Sequence, residues 1–191
     1  MATILQISFD NGASMIGFIN GYDSVDDVIA ADTHELEING GSFEAIGDRM
    51  SYLIDQVQNV LSPQRQARRT QIFRDQGYEP DNYWNIPRKD RDIIDAEVHA
   101  LYSEPCLIPG ESCIELVDAQ YTKGFQHCPY GGCPKGSSSS DYIIRNTTTG
   151  KQLWINPLTA HLAGSHKLLE KGNDYGITAG DFYIHFMPKS K

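Results

Sequence analysis

The chain has few cysteines and no long apolar run. Four cysteines occur in 191 residues, too few for the disulfide framework of a small secreted domain. Cys106 and Cys113 could form a second metal half-site, a disulfide, or small apolar core groups. We favour the last, because no histidine or acidic cluster accompanies them at ligand spacing. No window approaches about 18 apolar residues, and the first residues lack a basic leader with an apolar core. We therefore expect a cytoplasmic protein with reduced thiols and no membrane partner.

Several catalytic signatures are absent as well. The chain contains no Gly-rich phosphate loop, no Gly-x-Ser-x-Gly turn and no His-Glu-x-x-His helix. The sequence thus gives no grounds for a P-loop nucleotidase, an α/β-hydrolase or a zincin-type protease. Its composition, 40% hydrophobic and 21% charged, is that of an ordinary globular protein.

Basic residues are scarce in the first third. Residues 1–64 contain ten acids and a single base, Arg49, so the net charge of −9 arises in this segment. An acidic surface repels phosphate and argues against nucleic acid binding there. Residues 65–91 form a basic neighbourhood, for which pairing with the acidic third is a simpler expectation than a polyanion site. Its candidate nucleic-acid contacts are Arg65, Arg68, Arg69 and Arg74.

The first half has the pattern of an α+β fold. Residues 2–9 and 13–20 flank Asp10-Asn11-Gly12, which predicts a β-hairpin. A short acidic helix in DSVDDVIAAD and a third strand in HELEI are expected next. After Ser42 an apolar stripe predicts a helix of about five turns that packs on the hairpin sheet. The stripe consists of Phe43, Ile46, Met50, Leu53, Ile54, Val57, Val60 and Leu61.

Proline and glycine divide the remainder of this half. Ser62-Pro63 pairs an N-cap residue with proline, which predicts the sharp start of a second helix. A third helix is expected to begin near Pro87. The run 104–110 contains two prolines and a glycine and predicts a domain boundary. We therefore expect an acidic α+β part at 1–104 and a second part at 105–191.

The second part is predicted to hold a small sheet and one helix. SCIELVDAQY reads as a strand, and DYIIRN and KQLWIN form a hairpin closed near Gly150. Asn156 is an expected N-cap for a helix that begins at Pro157. The alternation in GDFYIHFMP predicts a final strand. The expected fold is thus α+β, with an N-terminal hairpin sheet, three to four helices, and a C-terminal small sheet plus one helix.

The main chemical signal is a pair of cysteines followed by a pair of histidines. Cys128 and Cys133 have four residues between them, as do His161 and His166. Thiolates and imidazoles are the ligands of closed tetrahedral zinc sites. With the intervening hairpin, residues 128–166 resemble a Cys2His2 zinc finger whose middle spacing is 27 residues rather than about 12. The resemblance covers about a fifth of the chain and implies structural zinc bound by these four residues.

Other assignments stay open for these side chains. Residues five positions apart on an ideal helix point about 140° away from each other. Gly164 lies where the helix would have to tighten for His161 and His166 to share a metal. His127 and His185 are substitute ligands. Without a metal, His161 is a hydrogen-bonded core residue and the thiols are free or joined.

Two functions follow from this ligand set. Two cysteines and two histidines leave no open coordination position, which favours a non-enzymatic module that binds another protein. The alternative is a metal-dependent hydrolase, because Asn156, His161 and His166 after a hairpin resemble the nucleases of the ββα-metal type. Those enzymes place a general base on the first strand, a position taken here by residues 142–145.

Overall fold

The structure is a computed structural model of the 191-residue chain. It describes residues 4–8, 14–18, 24–128, 130, 133, 137–171 and 175–188. These residues form six α-helices, a two-stranded sheet and a four-stranded antiparallel sheet. The predicted α+β class is confirmed. Among the described residues no helix is long and apolar enough to cross a membrane.

The N-terminal hairpin has the predicted strands. Strand β1 (Ile4–Ser8) pairs antiparallel with β2 (Ser14–Phe18), and Ile4 lies opposite Phe18. The predicted turn at Asp10-Asn11-Gly12 lies outside the described residues.

One helix, α1 (Val25–Asn39), spans the region where a short helix and a strand were predicted. The Ser24 side chain caps it by accepting a hydrogen bond from the Asp27 N–H, and Gly40 ends it in the left-handed region at φ 66°. Val28, Asp32 and Leu36 are buried one turn apart along this helix. The predicted strand in HELEI is therefore wrong, because Leu36 belongs to a helical stripe and not to an alternating one.

The next helix runs past the position where a new one was predicted. Helix α2 (Phe43–Gln56) begins after Ser42 as expected, continues as a π-helical segment (Val57–Leu61) and then as α3 (Ser62–Asp75). Ser62 has helical angles and donates its N–H to the Val57 carbonyl, so the predicted sharp start there is wrong. Pro63 lacks an N–H and its ring crowds the preceding turn, and the wider π turn directly before it accommodates both.

A helical arm follows. A 3-10 segment (Pro80–Asn85) joins α3 to α4 (Arg88–Ser103), which begins beside Pro87 as predicted. The arm, residues 62–103, has its own apolar cluster, separate from the main core. This arm cluster consists of Ile72, Phe73, Ile86 and Ile94.

The second sheet has the order β3-β4-β5-β6. Its strands are β3 (Cys106–Leu107), β4 (Ile114–His127), β5 (Ser137–Asn146) and β6 (Gln152–Ile155). The predicted β5–β6 hairpin is present, with Tyr142 opposite Ile155. Cysteines 106 and 113 form no disulfide and pack, partly buried, against the main core, as expected.

Two helices complete the fold, where one helix and a strand were predicted. They are α5 (Pro157–His166) and α6 (Ala179–Phe186). Phe182 and Phe186 are fully buried and lie one helical turn apart, whereas Ile184 is exposed. The predicted final strand is wrong because an i, i+4 pair satisfies both a helical and an alternating pattern, and Thr178 caps a helix by accepting from the Asp181 N–H.

The main core packs the α2 stripe against the C-terminal sheet, α5 and α6. We predicted the N-terminal hairpin as its partner; the side chains of that hairpin lie outside the described residues. The core contains residues from both sides of the boundary expected at 104–105, and this boundary remains a prediction. Prominent members are Ile46, Met50, Leu53, Ile108, Ile114, Leu116, Tyr142, Ile144, Leu153, Phe182 and Phe186.

A buried ion pair links α1 to the segment between α5 and α6. Lys171 Nζ lies 2.7 Å from Asp32 Oδ1, with side chains 7% and 1% exposed. The Ala179 N–H also donates to Asp32 Oδ1 at 3.0 Å. Burial raises the pKa of Asp32 and lowers that of Lys171, and their mutual attraction opposes both shifts. This contact fixes α1, which packs beside the candidate site described next.

Candidate metal centre

The four predicted ligands come from two elements. Cys128 directly follows the last residue of β4, and Cys133 lies between β4 and β5. His161 lies within α5, and His166 is the last residue of that helix.

Local sequence fixes both ends of α5. Asn156 and Thr159 form a capping box, in which each side chain accepts a hydrogen bond from the other residue's backbone N–H. Pro157 occupies the first turn, where its missing N–H costs nothing. Lys167 adopts the left-handed region at φ 56° and donates its N–H to the Leu162 carbonyl. The helix therefore stops directly after His166.

The structure brings the four side chains together. One ligand atom from each of Cys128, Cys133, His161 and His166 lies within 4.8 Å of all the others, an arrangement that could hold a metal ion. His166 Nε2 is 3.4 Å from Cys128 Sγ, 3.5 Å from Cys133 Sγ and 3.3 Å from His161 Nε2. Ordinary Zn–S and Zn–N bond lengths give tetrahedral edges of about 3.5 Å for S···N and about 3.3 Å for N···N.

Hydrogen bonding alone does not account for this convergence. An imidazole nitrogen carries either one proton or one lone pair, so His166 Nε2 can serve one partner well. Three candidate partners surround it at similar distances. A cation at their centre would satisfy all four atoms at once.

Helix α5 does not break between its histidines. It stays α-helical from Pro157 to His166, and the two imidazoles meet edge to face with ring centroids 5.0 Å apart. The tightening or break that we considered at Gly164 does not occur. Gly164 instead lies against Gly47 of α2, where a Cβ built on Gly47 would be 2.7 Å from Gly164 Cα. These glycines let the helix that carries both histidines approach α2 closely.

An apolar shell surrounds the sulfurs. Cys128 is buried in a small cluster with Val28 of α1 and three leucines of the α5 region, Leu158, Leu162 and Leu168. Tyr130 stacks on His166 with ring centroids 4.1 Å apart and 8° between the planes. We call Cys128, these four aliphatic residues and Tyr130 the metal-site cluster.

Burial tunes the ionisation of these groups. It raises the pKa of the Cys128 thiol, with a smaller contribution from Cys133. Burial, with the charge of His161, lowers the pKa of His166, which favours its neutral imidazole. A metal entering the site therefore meets an imidazole ready to bind and displaces a proton from a thiol.

A hydrogen bond orients one imidazole. His161 Nδ1 lies 3.3 Å from Ser165 Oγ. When Nδ1 carries the proton and donates it to Ser165, the Nε2 lone pair points toward the other three ligand atoms. Such outer contacts fix the tautomer of metal-binding histidines.

Of the two substitute ligands, His185 does not join the cluster. His185 lies on α6 with its Nδ1 3.0 Å from Thr149 Oγ1, and the side chain of His127 lies outside the described residues. Sequence reasoning missed Tyr130, whose position between the cysteines was the available signal, and Gly47, whose partner lies more than a hundred residues away.

The basic candidates are spread over different environments. Arg65 is buried, donating from Nη2 to the Glu104 carbonyl and the Cys106 sulfur at 3.1 Å. Arg69 lies over the Phe73 ring, and Arg74 pairs with Glu79 at 3.3 Å. Arg68 is exposed. Among the described residues of the arm the ion pair is local, between Arg74 and Glu79, and not with the acidic third.

Comparison of this chain with protein-family models, with curated proteins and with solved structures finds no match. The site is therefore interpreted from its own geometry.

Proposed function

We propose that Cys128, Cys133, His161 and His166 bind one structural Zn²⁺ and that the chain acts by binding another protein. The observation that carries the proposal is the approach of four ligand atoms to within 4.8 Å of one another. Two thiolates and two imidazoles are a common structural ligand set for zinc.

A structural role suits this ligand set better than a catalytic one. Four protein ligands complete a tetrahedron and leave no position for water or substrate. Zinc here would join the β4–β5 connection to α5, so metal affinity would become folding energy.

The nuclease alternative has less support. Asn156 is one of the three residues on which the resemblance to the nucleases rests. It is buried, caps α5 and donates a hydrogen bond to Asp141 Oδ1 at 2.8 Å. On β5, Tyr142 is buried and Arg145 pairs with Glu115. The side chains at these positions are engaged in structure, and none of residues 142–145 is a histidine or carboxylate that could act as general base.

The proposal places the chain in a reducing compartment, the cytoplasm. Zinc binding needs reduced thiols, which a reducing compartment maintains.

Metal analysis tests the zinc assignment. Protein purified without added metal should contain one equivalent of zinc by elemental mass spectrometry, and Cys128→Ser and His161→Ala should lose it. Cys113→Ser, which alters a cysteine outside the cluster, should retain it. A wild-type protein with no metal after zinc titration would overturn the assignment.

A nuclease assay tests the binding role. We expect no magnesium-dependent cleavage of DNA or RNA by the zinc-loaded protein. Cleavage that disappears in His161→Ala while the fold is retained would contradict the proposal.

A further inference from the structure

A long groove runs between α2 and α5, next to the metal site. Its volume is about 850 Å³. The second half of α1, the α1–α2 connection and α2 form one wall, and α5 forms the other, including the candidate ligand His161. The groove is thus built on the same helix that the proposed zinc would anchor.

Carboxylates dominate the rim of this groove. Four acidic residues line it, against a single lysine, Lys167. All four are exposed. They are Glu37, Glu44, Asp48 and Asp55.

These four differ from other acids of the same helices. Asp32 pairs with Lys171, and Glu35 accepts a hydrogen bond from the Gly180 N–H at 2.7 Å. No described side chain pairs with the four groove carboxylates by an ion pair or a hydrogen bond. Their charge faces solvent within one concave surface, where low-dielectric walls concentrate the field.

The floor of the groove is apolar. Phe43 and Ile54 are buried there, and Gly47 and Ala160 lie where the two helices approach closely. The α2 wall extends from Phe43 in α2 to Gln58 in the π-helical segment, about 22 Å at about 1.5 Å per residue. An extended peptide of about seven residues would span it at about 3.3 Å per residue.

Zinc would not change this charge. A Zn²⁺ ion with two thiolates and two neutral imidazoles has no net charge, so the carboxylates would set the potential of the groove. An acidic rim over an apolar floor matches a segment that alternates basic and apolar side chains.

We propose that the α2–α5 groove is the docking site for a lysine- and arginine-rich peptide segment of a partner protein. This inference rests on the proposed binding function and specifies the chemistry of its partner. The acidic groove repels nucleic acid and supplies the complementary charge for a basic protein segment.

Fluorescence polarisation with a labelled peptide of alternating lysine and leucine, about seven residues long, tests this proposal. Binding should weaken as ionic strength rises from about 0.01 M to about 0.15 M. The triple variant Glu44→Gln, Asp48→Asn, Asp55→Asn should bind on the order of tenfold more weakly, because three attractive charges are lost. A peptide with glutamate in place of lysine should not bind.

A matched variant controls for overall charge. Asp81→Asn, Asp92→Asn, Glu97→Gln removes three exposed acids from the arm and should bind like wild type. Equal weakening in both triple variants would show attraction to the net charge alone and overturn the proposal, as would absence of binding by wild type. Zinc content and thermal stability measured on the same samples separate the two proposals. A folded, metal-loaded protein that does not bind the peptide refutes the groove proposal only. A protein that contains no metal refutes the zinc proposal only.

Discussion

The metal-site cluster and the arm cluster are both small and both lie outside the main core, yet they are held in different ways. At the metal site, four ligand atoms converge on one point within 4.8 Å. In the arm, tyrosines supply separate contacts: Tyr78 donates to Asp90 and Tyr83 to Asp95, each at 2.7 Å. A few buried aliphatic side chains bury too little surface to be stable alone, so each cluster needs additional contacts.

The difference concerns how stability is distributed. If the four residues bind zinc as proposed, loss of the ion would remove all four contacts together, because each ligand atom would depend on the same centre. Loss of one tyrosine contact in the arm leaves the others in place. We therefore expect the metal site to fail as a unit and the arm to weaken gradually.

Metal removal should give the largest effect. Chelation should unfold the metal-site region, with a loss of up to on the order of 10 kcal/mol as in small zinc domains. The two tryptophans report on the two regions, because Trp154 is on β6 and Trp84 is an exposed residue of the arm. The Trp84→Phe variant leaves Trp154, whose fluorescence should change on chelation. The Trp154→Phe variant leaves Trp84, whose fluorescence should not change. Unchanged spectra in both would contradict the contrast between the regions.

Truncating the arm cluster should give the next largest effect. Phe73→Ala removes a fully buried ring and should lower the free energy of unfolding by about 3–5 kcal/mol in denaturant titrations. Zinc content should remain at one equivalent, because the arm cluster is separate from the ligands. Ile93→Ala, at a partly exposed position of α4, is the control and should change little. Loss of zinc in Phe73→Ala would show that the clusters are coupled.

Acidification should affect only the metal site. Because burial raises the pKa of Cys128, zinc must displace its proton, and affinity should fall about tenfold per pH unit for that proton as pH decreases. In the arm, hydrogen bonds to Asp90 and Asp95 raise the pKa values of Tyr78 and Tyr83 from their ordinary value, which favours the neutral phenols. Between pH 8 and pH 6, the zinc affinity measured in competition assays should therefore fall, whereas the fluorescence of Trp84 should stay constant. A zinc affinity independent of pH would count against thiolate ligands.

Two glycines test how α5 is held. Gly47→Ala would place a Cβ 2.7 Å from the Gly164 backbone, which should cost about 1–3 kcal/mol and weaken zinc binding by displacing α5. Gly164→Ala meets Gly47 Cα at an ordinary 3.6 Å and should be neutral or stabilising, since alanine favours helix by about 0.5–1 kcal/mol. Thermal melts and zinc titrations measure both. Equal behaviour of the two variants would argue against this close helix contact.

The smallest effect is expected at the surface of the arm. Arg74→Ala breaks an exposed ion pair with Glu79 and should change the free energy of unfolding by less than about 0.5 kcal/mol. Chemical denaturation should give the same midpoint in low and high salt for the variant and wild type. A larger loss would mean that the arm also depends on a single contact.

Local signals predicted several elements well. The apolar stripe after Ser42 and the Asn156 cap predicted the starts of α2 and α5, since a stripe and a cap are both signals of neighbouring residues. The β5–β6 hairpin and α4 also follow local turn and proline signals. Errors arose where a short pattern fits two periods, as at Phe182 and Phe186, or where proline permits a π turn, as at Pro63.

By itself, the sequence determined the α+β class and the set of four metal-ligand candidates, because residue chemistry and spacing are local properties. Only the tertiary structure decided that the Nε2 atoms of His161 and His166 lie 3.3 Å apart, that Gly47 packs against Gly164, and that four carboxylates line one groove. These relations join residues of distant elements, and their distances depend on how the helices pack.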